Sequence, residues 1–186
     1  MTQPGLVLNR HPSALPTTAD VRVAPLSSPV APAAPEPLGV LAALVRDVAA
    51  RPERWHPQVR FQTEQRWWTR LDGPPGIDVW LLSWLATQGT ELHDHGAAAA
   101  AFTVVRGALT EVRAATPGLT TRTVRAGQVQ TVAAGVVHDV VNRDAEPAVS
   151  IHAYAPRLSR MTYYRWVDTR LEPVSTVTTT EPETAE

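Results

Sequence analysis

The sequence predicts an all-β domain, an antiparallel sandwich or barrel, introduced by one short helix. Three observations carry this. Short runs rich in Val, Thr and Ile recur between turn residues from Gly73 onward, no helical period interrupts them, and a single apolar period of three and four residues lies just before them. A length of 186 residues holds one such domain with ends to spare, and 44% hydrophobic residues suffice for its core.

In chain order, residues 1–36 mix Pro, Ala, Ser, Thr and Val without a period. Pro25, Pro29, Pro32 and Pro35 deny both helix and central strand, so a flexible arm is expected. The spacing of Leu38, Leu41, Leu44, Val45 and Val48 predicts an amphipathic helix that stops near Arg51-Pro52. Gly73-Pro74-Pro75-Gly76 forms a turn, and strands are expected over 77–85, 102–105, 107–112, 120–124, 129–132, 136–141 and 149–154, with Pro117-Gly118 as a further turn. From Glu172 a run of Thr, Glu and Pro is expected to fray. The expected organisation is thus an arm (1–36), a single domain (37–171) and a flexible tail (172–186).

Composition narrows the function. The 17 basic residues are all arginine, and 18 acids leave a net charge of −1, which gives no electrostatic footprint for nucleic acid or an anionic membrane. Without cysteine there is no disulfide, thiolate zinc site or cysteine nucleophile, and the six histidines become the main supply of metal ligands. No charged segment followed by an apolar run opens the chain, and no stretch approaches membrane-span length. A cytoplasmic monomer is expected.

The strongest chemical signal is Glu91-Leu92-His93-Asp94-His95-Gly96. Two histidines one residue apart on a strand point to the same face and can share one metal, while Asp94 between them faces away. His138, in a hairpin-like stretch, can return beside them as a third ligand, leaving coordination positions open for water activation on zinc or for substrate and dioxygen on iron(II). His11 and His56 are read as ordinary histidines. Ser150, His152 and Tyr154, spaced by two, place three polar groups on one strand face that can form a relay. Arg70 suits a planar carboxylate, although an arginine-only chain sets most of its arginines at the surface. Trp67, Trp68 and Trp80 are read as core packing, and Trp84 as the tryptophan able to reach a ligand.

These residues resemble the cupin superfamily. Gly89, His93, His95 and Gly107 follow its first motif, with the usual glutamate missing from the alanines at 97–101; Gly127, Gly135, His138 and Asn142 follow the second, with Ala133 at a usual proline. Loss of the glutamate leaves three histidines, as in the thiol dioxygenases. The closer resemblance is to bacterial cysteine dioxygenases, over roughly Trp67 to Tyr164. It rests on Trp68-Thr69-Arg70, Leu82-Ser83-Trp84, His93-Asp94-His95-Gly96 with the run 101–111, His138, and Ser150-Ile151-His152-Ala153-Tyr154.

The resemblance implies a cupin double-stranded β-helix, a jelly-roll-like barrel with a short helical segment before it. It also implies an Fe(II) enzyme that converts L-cysteine and O2 to cysteine sulfinic acid. In that reading His93, His95 and His138 hold the metal. Arg70 anchors the substrate carboxylate, as arginine does in the cysteine-oxidising branch, where the 3-mercaptopropionate branch has glutamine. Tyr154, oriented by His152 and Ser150, bonds the carboxylate or dioxygen. The alternatives are a dioxygenase for 3-mercaptopropionate or another small thiol, and a non-catalytic metal-binding sensor. The sequence departs from the mammalian enzymes at Trp68, where they have tyrosine, at Ala155-Pro156-Arg157, and in having no cysteine to cross-link Tyr154.

Overall fold

The computed structural model describes residues 37–115 and 117–182. The expected arm at 1–36 lies outside the described residues. Helix α1 (Pro37–Ala49) is followed by β1 (Trp67–Leu71), β2 (Asp78–Trp84), β3 (His93–Asp94), β4 (Ala99–Arg106), β5 (Ala108–Ala115), β6 (Gly118–Arg125), β7 (Val129–Val132), β8 (His138–Val141), β9 (Ala148–Ala155), β10 (Arg160–Val167) and β11 (Arg170–Thr178). One sheet runs β1-β2-β9-β4-β7 and the other β11-β10-β3-β8-β5-β6, with antiparallel pairing within each. This is the expected double-stranded β-helix behind a short helix.

The five-stranded sheet is buried on both faces, which is why β2 and β9 read as nearly continuous apolar runs. On its outer face Val79, Leu81, Ala101, Val149, Ile151 and Ala153 meet Leu41, Val45 and Val48 of α1. The helical period of those three residues therefore exists to cover this sheet. On the inner face Trp80, Leu82, Trp84, Phe102, Val104 and Tyr154 join Leu109, Val124, Val140 and Met161 from the other sheet and its connections. Each of the two clusters buries side chains worth about 1.5–3 kcal/mol apiece. Alternation along β9 thus sends Val149, Ile151 and Ala153 to the helix, and Ser150, His152 and Tyr154 to the barrel interior.

The strands expected over 102–105 and 107–112 are β4 and β5, hinged at Gly107. Its φ of +74° and the crowding a Cβ would meet, 3.0 Å from the Pro147 carbonyl oxygen, both demand glycine. Two differences concern strands without a clear period of two. Residues 67–71 and 160–167, assigned no element from sequence, form β1 and β10. The tail expected to fray from Glu172 is instead ordered as β11, paired with β10 from Arg170↔Val167 to Thr178↔Arg160. Its Thr and Val content favours a strand, and β10 supplies the ladder that an isolated segment lacks.

Candidate metal centre

His93 lies on β3 directly opposite His138 on β8, and His95 follows two residues beyond His93, so pairing and alternation together aim three imidazoles at one point. Gly96, at φ +59°, turns the chain away immediately afterwards. Asp94 faces the other way, as expected: its carboxylate accepts the Gly96 N–H at 2.8 Å and the Tyr164 hydroxyl at 2.7 Å, which ties the motif to β10.

The His93 and His95 Nε2 atoms are 3.1 Å apart, and those of His95 and His138 are 3.5 Å apart. One ligand atom from each of the three residues lies within 4.8 Å of the others. Two nitrogens each about 2.0–2.1 Å from a shared ion stand roughly 2.8–3.4 Å apart at octahedral to tetrahedral angles. The spacing therefore fits a single divalent cation.

Protonation fits as well. Burial, then the neighbouring His138, holds the His93 imidazole well below its ordinary value; burial and then His93 do the same for His95. Both are neutral near pH 7. His93 Nδ1 sits 2.7 Å from the Glu91 carbonyl oxygen, which can only accept, so the ring proton is there and the Nε2 lone pair faces its fellow imidazoles. His138 Nδ1 meets Glu111 Oε1 at 3.1 Å with the same consequence. His95 Nδ1 is buried with no hydrogen-bond partner among the described residues. Lone pairs crowded together in a buried pocket suit a cation with a preference for nitrogen, such as iron(II), zinc, nickel or manganese.

Ser150, His152 and Tyr154 are buried on the inner face. Ser150 Oγ accepts the Trp84 indole N–H at 2.8 Å and lies 2.9 Å from His152 Nε2. The His152 ring stacks on Phe102 at 5.0 Å, and burial, then Arg66, keeps it well below its ordinary value. Tyr154 stands edge-on to His95 with centroids 5.0 Å apart. The expected trio is thus assembled beside the histidines, with Trp84 as an added member anchoring its far end.

Arg70 is the residue the structure does not bring to the site. It is 48% exposed and pairs with Asp78 at 2.5 Å, stacked over Trp80. Arg66 lies there instead: 1% exposed, its guanidinium 4.4 Å above the Trp84 ring, one N–H donated to the Gly89 carbonyl at 3.1 Å. The two arginines share a face, but four extended residues separate them by about 13 Å, enough to move from the barrel interior to its rim. The hairpin register, Arg70↔Trp80 and Trp67↔Ser83, carries Arg66 back to the level of Trp84. A hairpin centred on Pro75 is the sequence signal that could have found it.

The cavity enclosed by these groups is lined by Arg66, Trp84, Thr90, the three metal-facing histidines, His152, Tyr154, Met161 and, from beyond β11, Pro182. Its volume is about 20 Å3, room for roughly one water molecule. Thr90 and Pro182 also border a neighbouring polar groove of about 860 Å3. Among the described residues the cavity wall carries one arginine and no carboxylate.

A family model described as cysteine dioxygenase type I matches residues 37–166. No curated protein matches the chain. Among solved structures, the TT1209 protein of Thermus thermophilus is 19% identical with a TM-score of 0.50, covering 54% of this chain and 92% of its own. A conserved protein with a double-stranded β-helix domain from Klebsiella pneumoniae is 19% identical with a TM-score of 0.48, over 54% and 85% of the two chains. A cupin superfamily protein from Desulfitobacterium hafniense is 9% identical with a TM-score of 0.47, over 55% and 87%. At 19% identity, the likeness to the Thermus protein is one of fold.

Proposed function

Because the chain belongs to the cysteine dioxygenase type I family, we propose that it is an iron(II) dioxygenase that converts L-cysteine to cysteine sulfinic acid. The single observation that carries this reading is the cluster of three buried imidazoles, two of them with lone pairs fixed inward, enclosed in one cavity with a buried arginine and a tyrosine. The overall change is balanced without any external reductant. The S–H and O=O bonds break, two S–O bonds form, sulfur gives up four electrons, dioxygen takes four, and the proton ends on the sulfinic acid or in solvent.

His93, His95 and His138 hold the metal, which when bound supplies a Lewis-acidic, redox-active centre where thiolate and dioxygen meet. The surrounding residues bind and orient. Arg66 takes the carboxylate-anchoring role expected of Arg70: its planar fork matches a carboxylate, and Trp84 below and the Gly89 carbonyl beside it hold the guanidinium in place. Ser150, fixed by the Trp84 N–H, can give its own proton to His152 Nε2, which would leave the imidazole protonated on Nδ1. Tyr154, an unmodified phenol in a chain without cysteine, can donate to the carboxylate or to an oxygen of the reacting pair. Walls of Trp84, Met161 and Pro182 exclude bulk water, so these polar contacts act at low dielectric.

A second reading, oxidation of 3-mercaptopropionate, draws on a specific feature: no described residue of the wall offers a carboxylate to pair with a substrate ammonium. The experiment loads the purified chain with iron(II) and follows oxygen uptake and sulfinate with a panel of small thiols under 18O2. The expected result is L-cysteine sulfinate carrying two labelled oxygens. Equal efficiency with and without the amine would transfer the assignment to the second reading. Metal binding without turnover of any thiol would leave a non-catalytic sensor. The proposal includes a monomer working in the cytoplasm on small molecules, without nucleic acid or membrane partners. Among the described residues, no helix is long and apolar enough to cross a membrane.

A further inference from the structure

Glu111, on β5, lies outside the cavity wall, yet it is a fully buried carboxylate in contact with a metal-facing histidine. Across the β5–β8 ladder Arg113 stands opposite His138, so Glu111 is the diagonal neighbour, within reach of a long side chain. Its Oε1 accepts two N–H groups, His138 Nδ1 at 3.1 Å and Arg113 Nε at 2.8 Å, and Arg113 Nη2 lies 2.8 Å away as the ion-pair partner. Arg113 is itself fixed by donating to the Thr131 carbonyl at 2.7 Å, and Arg122 Nε stands 3.8 Å from Oε2. The carboxylate is therefore held through Oε1, which meets both Arg113 and the imidazole, while Oε2 has no hydrogen-bond partner among the described residues.

The backing of the three histidines is unequal. His93 has the carbonyl of Glu91, His95 Nδ1 has no hydrogen-bond partner among the described residues, and His138 alone has a full negative charge behind it. A carboxylate behind an imidazole fixes the tautomer and ring orientation and raises the basicity of the nitrogen that faces the metal. We propose that Glu111 is a positioning residue that makes His138 the dominant ligand of the centre, with Arg113 only offsetting part of the carboxylate's charge. The proposal rests on the three-histidine reading of the site. A purely structural Glu111, present only as the partner of two arginines, is the competing account.

The two accounts separate on metal affinity. Cobalt(II) is titrated into the metal-free full-length chain against a chromophoric chelator, for the wild type, Glu111→Gln and Arg113→Met, with thermal melts of each without metal. Glu111→Gln is expected to weaken affinity about 10- to 100-fold, whereas Arg113→Met keeps the carboxylate and stays within about threefold of wild type. Wild-type affinity in Glu111→Gln, or an equal weakening in both variants, overturns the proposal, since a structural ion pair is broken from either side. Should Glu111→Gln fail to fold, 15N-histidine NMR of the zinc-loaded wild type decides: a proton on His138 Nδ1, shifted to low field, supports it, and an unprotonated Nδ1 refutes it. No thiol or dioxygen enters these measurements. Turnover with unchanged Glu111→Gln affinity defeats this inference alone, and graded affinity without turnover defeats only the proposed function.

Discussion

Arg66 and Arg70 lie four residues apart and only one can anchor a carboxylate at the metal, so exchanging each for methionine isolates the assignment. Arg66 is 1% exposed in the cavity wall, where a charge-assisted contact to a substrate carboxylate is shielded from water. Losing such a contact costs about 2–4 kcal/mol, or roughly 30- to 1,000-fold in kcat/KM. Arg70 is 48% exposed and engaged with Asp78, which keeps Leu158 N–H at 3.1 Å and Arg157 Nε at 3.8 Å when Arg70 is removed. Asp78 is buried but keeps those other partners and the Arg70 end is screened by solvent, so the change is worth about 0–1 kcal/mol and Arg70→Met should stay within about fivefold of wild type. The assay is initial oxygen uptake by the iron(II)-loaded chain with L-cysteine and with 2-mercaptoethanol, which has no carboxylate. Arg66→Met is expected to abolish the preference for the carboxylate thiol while leaving the poor rate with 2-mercaptoethanol in place. A loss reproduced by Arg70→Met, or an equal fall with both thiols in Arg66→Met, would refute the assignment; the second would make Arg66 a packing element on Trp84.

Ser150→Ala strips one hydroxyl from between two buried groups, the Trp84 indole N–H and His152 Nε2, each costing about 1–3 kcal/mol when left unpaired, so a stability loss of about 2–6 kcal/mol is expected in urea unfolding. A fall below about 1 kcal/mol would mean that the network does not hold the strand. For the metal-free chain, His93, His95 and His152 are buried and held neutral, while the unfolded chain binds a proton on each below a pH of about 6.5. The unfolded state then carries more protons, so stability rises with pH, is complete above that value, and falls below it by up to about 4 kcal/mol per pH unit for three groups. Urea midpoints at pH 7, 6 and 5 check this, and a flat series would contradict the burial. Pro182→Gly removes a ring from the wall of a cavity of about 20 Å3, smaller than the proposed substrate, and should raise the rate with homocysteine relative to cysteine; an unchanged ratio would place Pro182 outside the access path.

Which parts of this protein are legible in its sequence follows from what each element depends on. Helix α1 and strands such as β2 and β9 bury faces made by their own residues, so period and apolar content reveal them. The histidines are legible for the same local reason, because alternation alone puts His93 and His95 on one face. β1, β10 and β11 are different. β1 is short and breaks off at Arg70-Leu71, Arg, Thr, Tyr and Glu are prominent in β10 and β11, burial is partial in all three, and they exist because a neighbouring strand supplies the ladder. Arg66 eluded the motif for a related reason. Periodicity says that Arg66, Trp68 and Arg70 share a face, but how far each lies from the metal is set by the register against β2. Moving by four residues preserves the face and changes the depth by about 13 Å, the difference between a buried cation over Trp84 and a half-exposed one beside Asp78. Glu111 obeys the same logic: nothing in its own strand distinguishes it from an ordinary acid, and only the diagonal across β5 and β8 sets it behind His138. In a β-barrel, local pattern chooses the face and cross-strand register chooses the depth, and chemistry at a buried centre needs both.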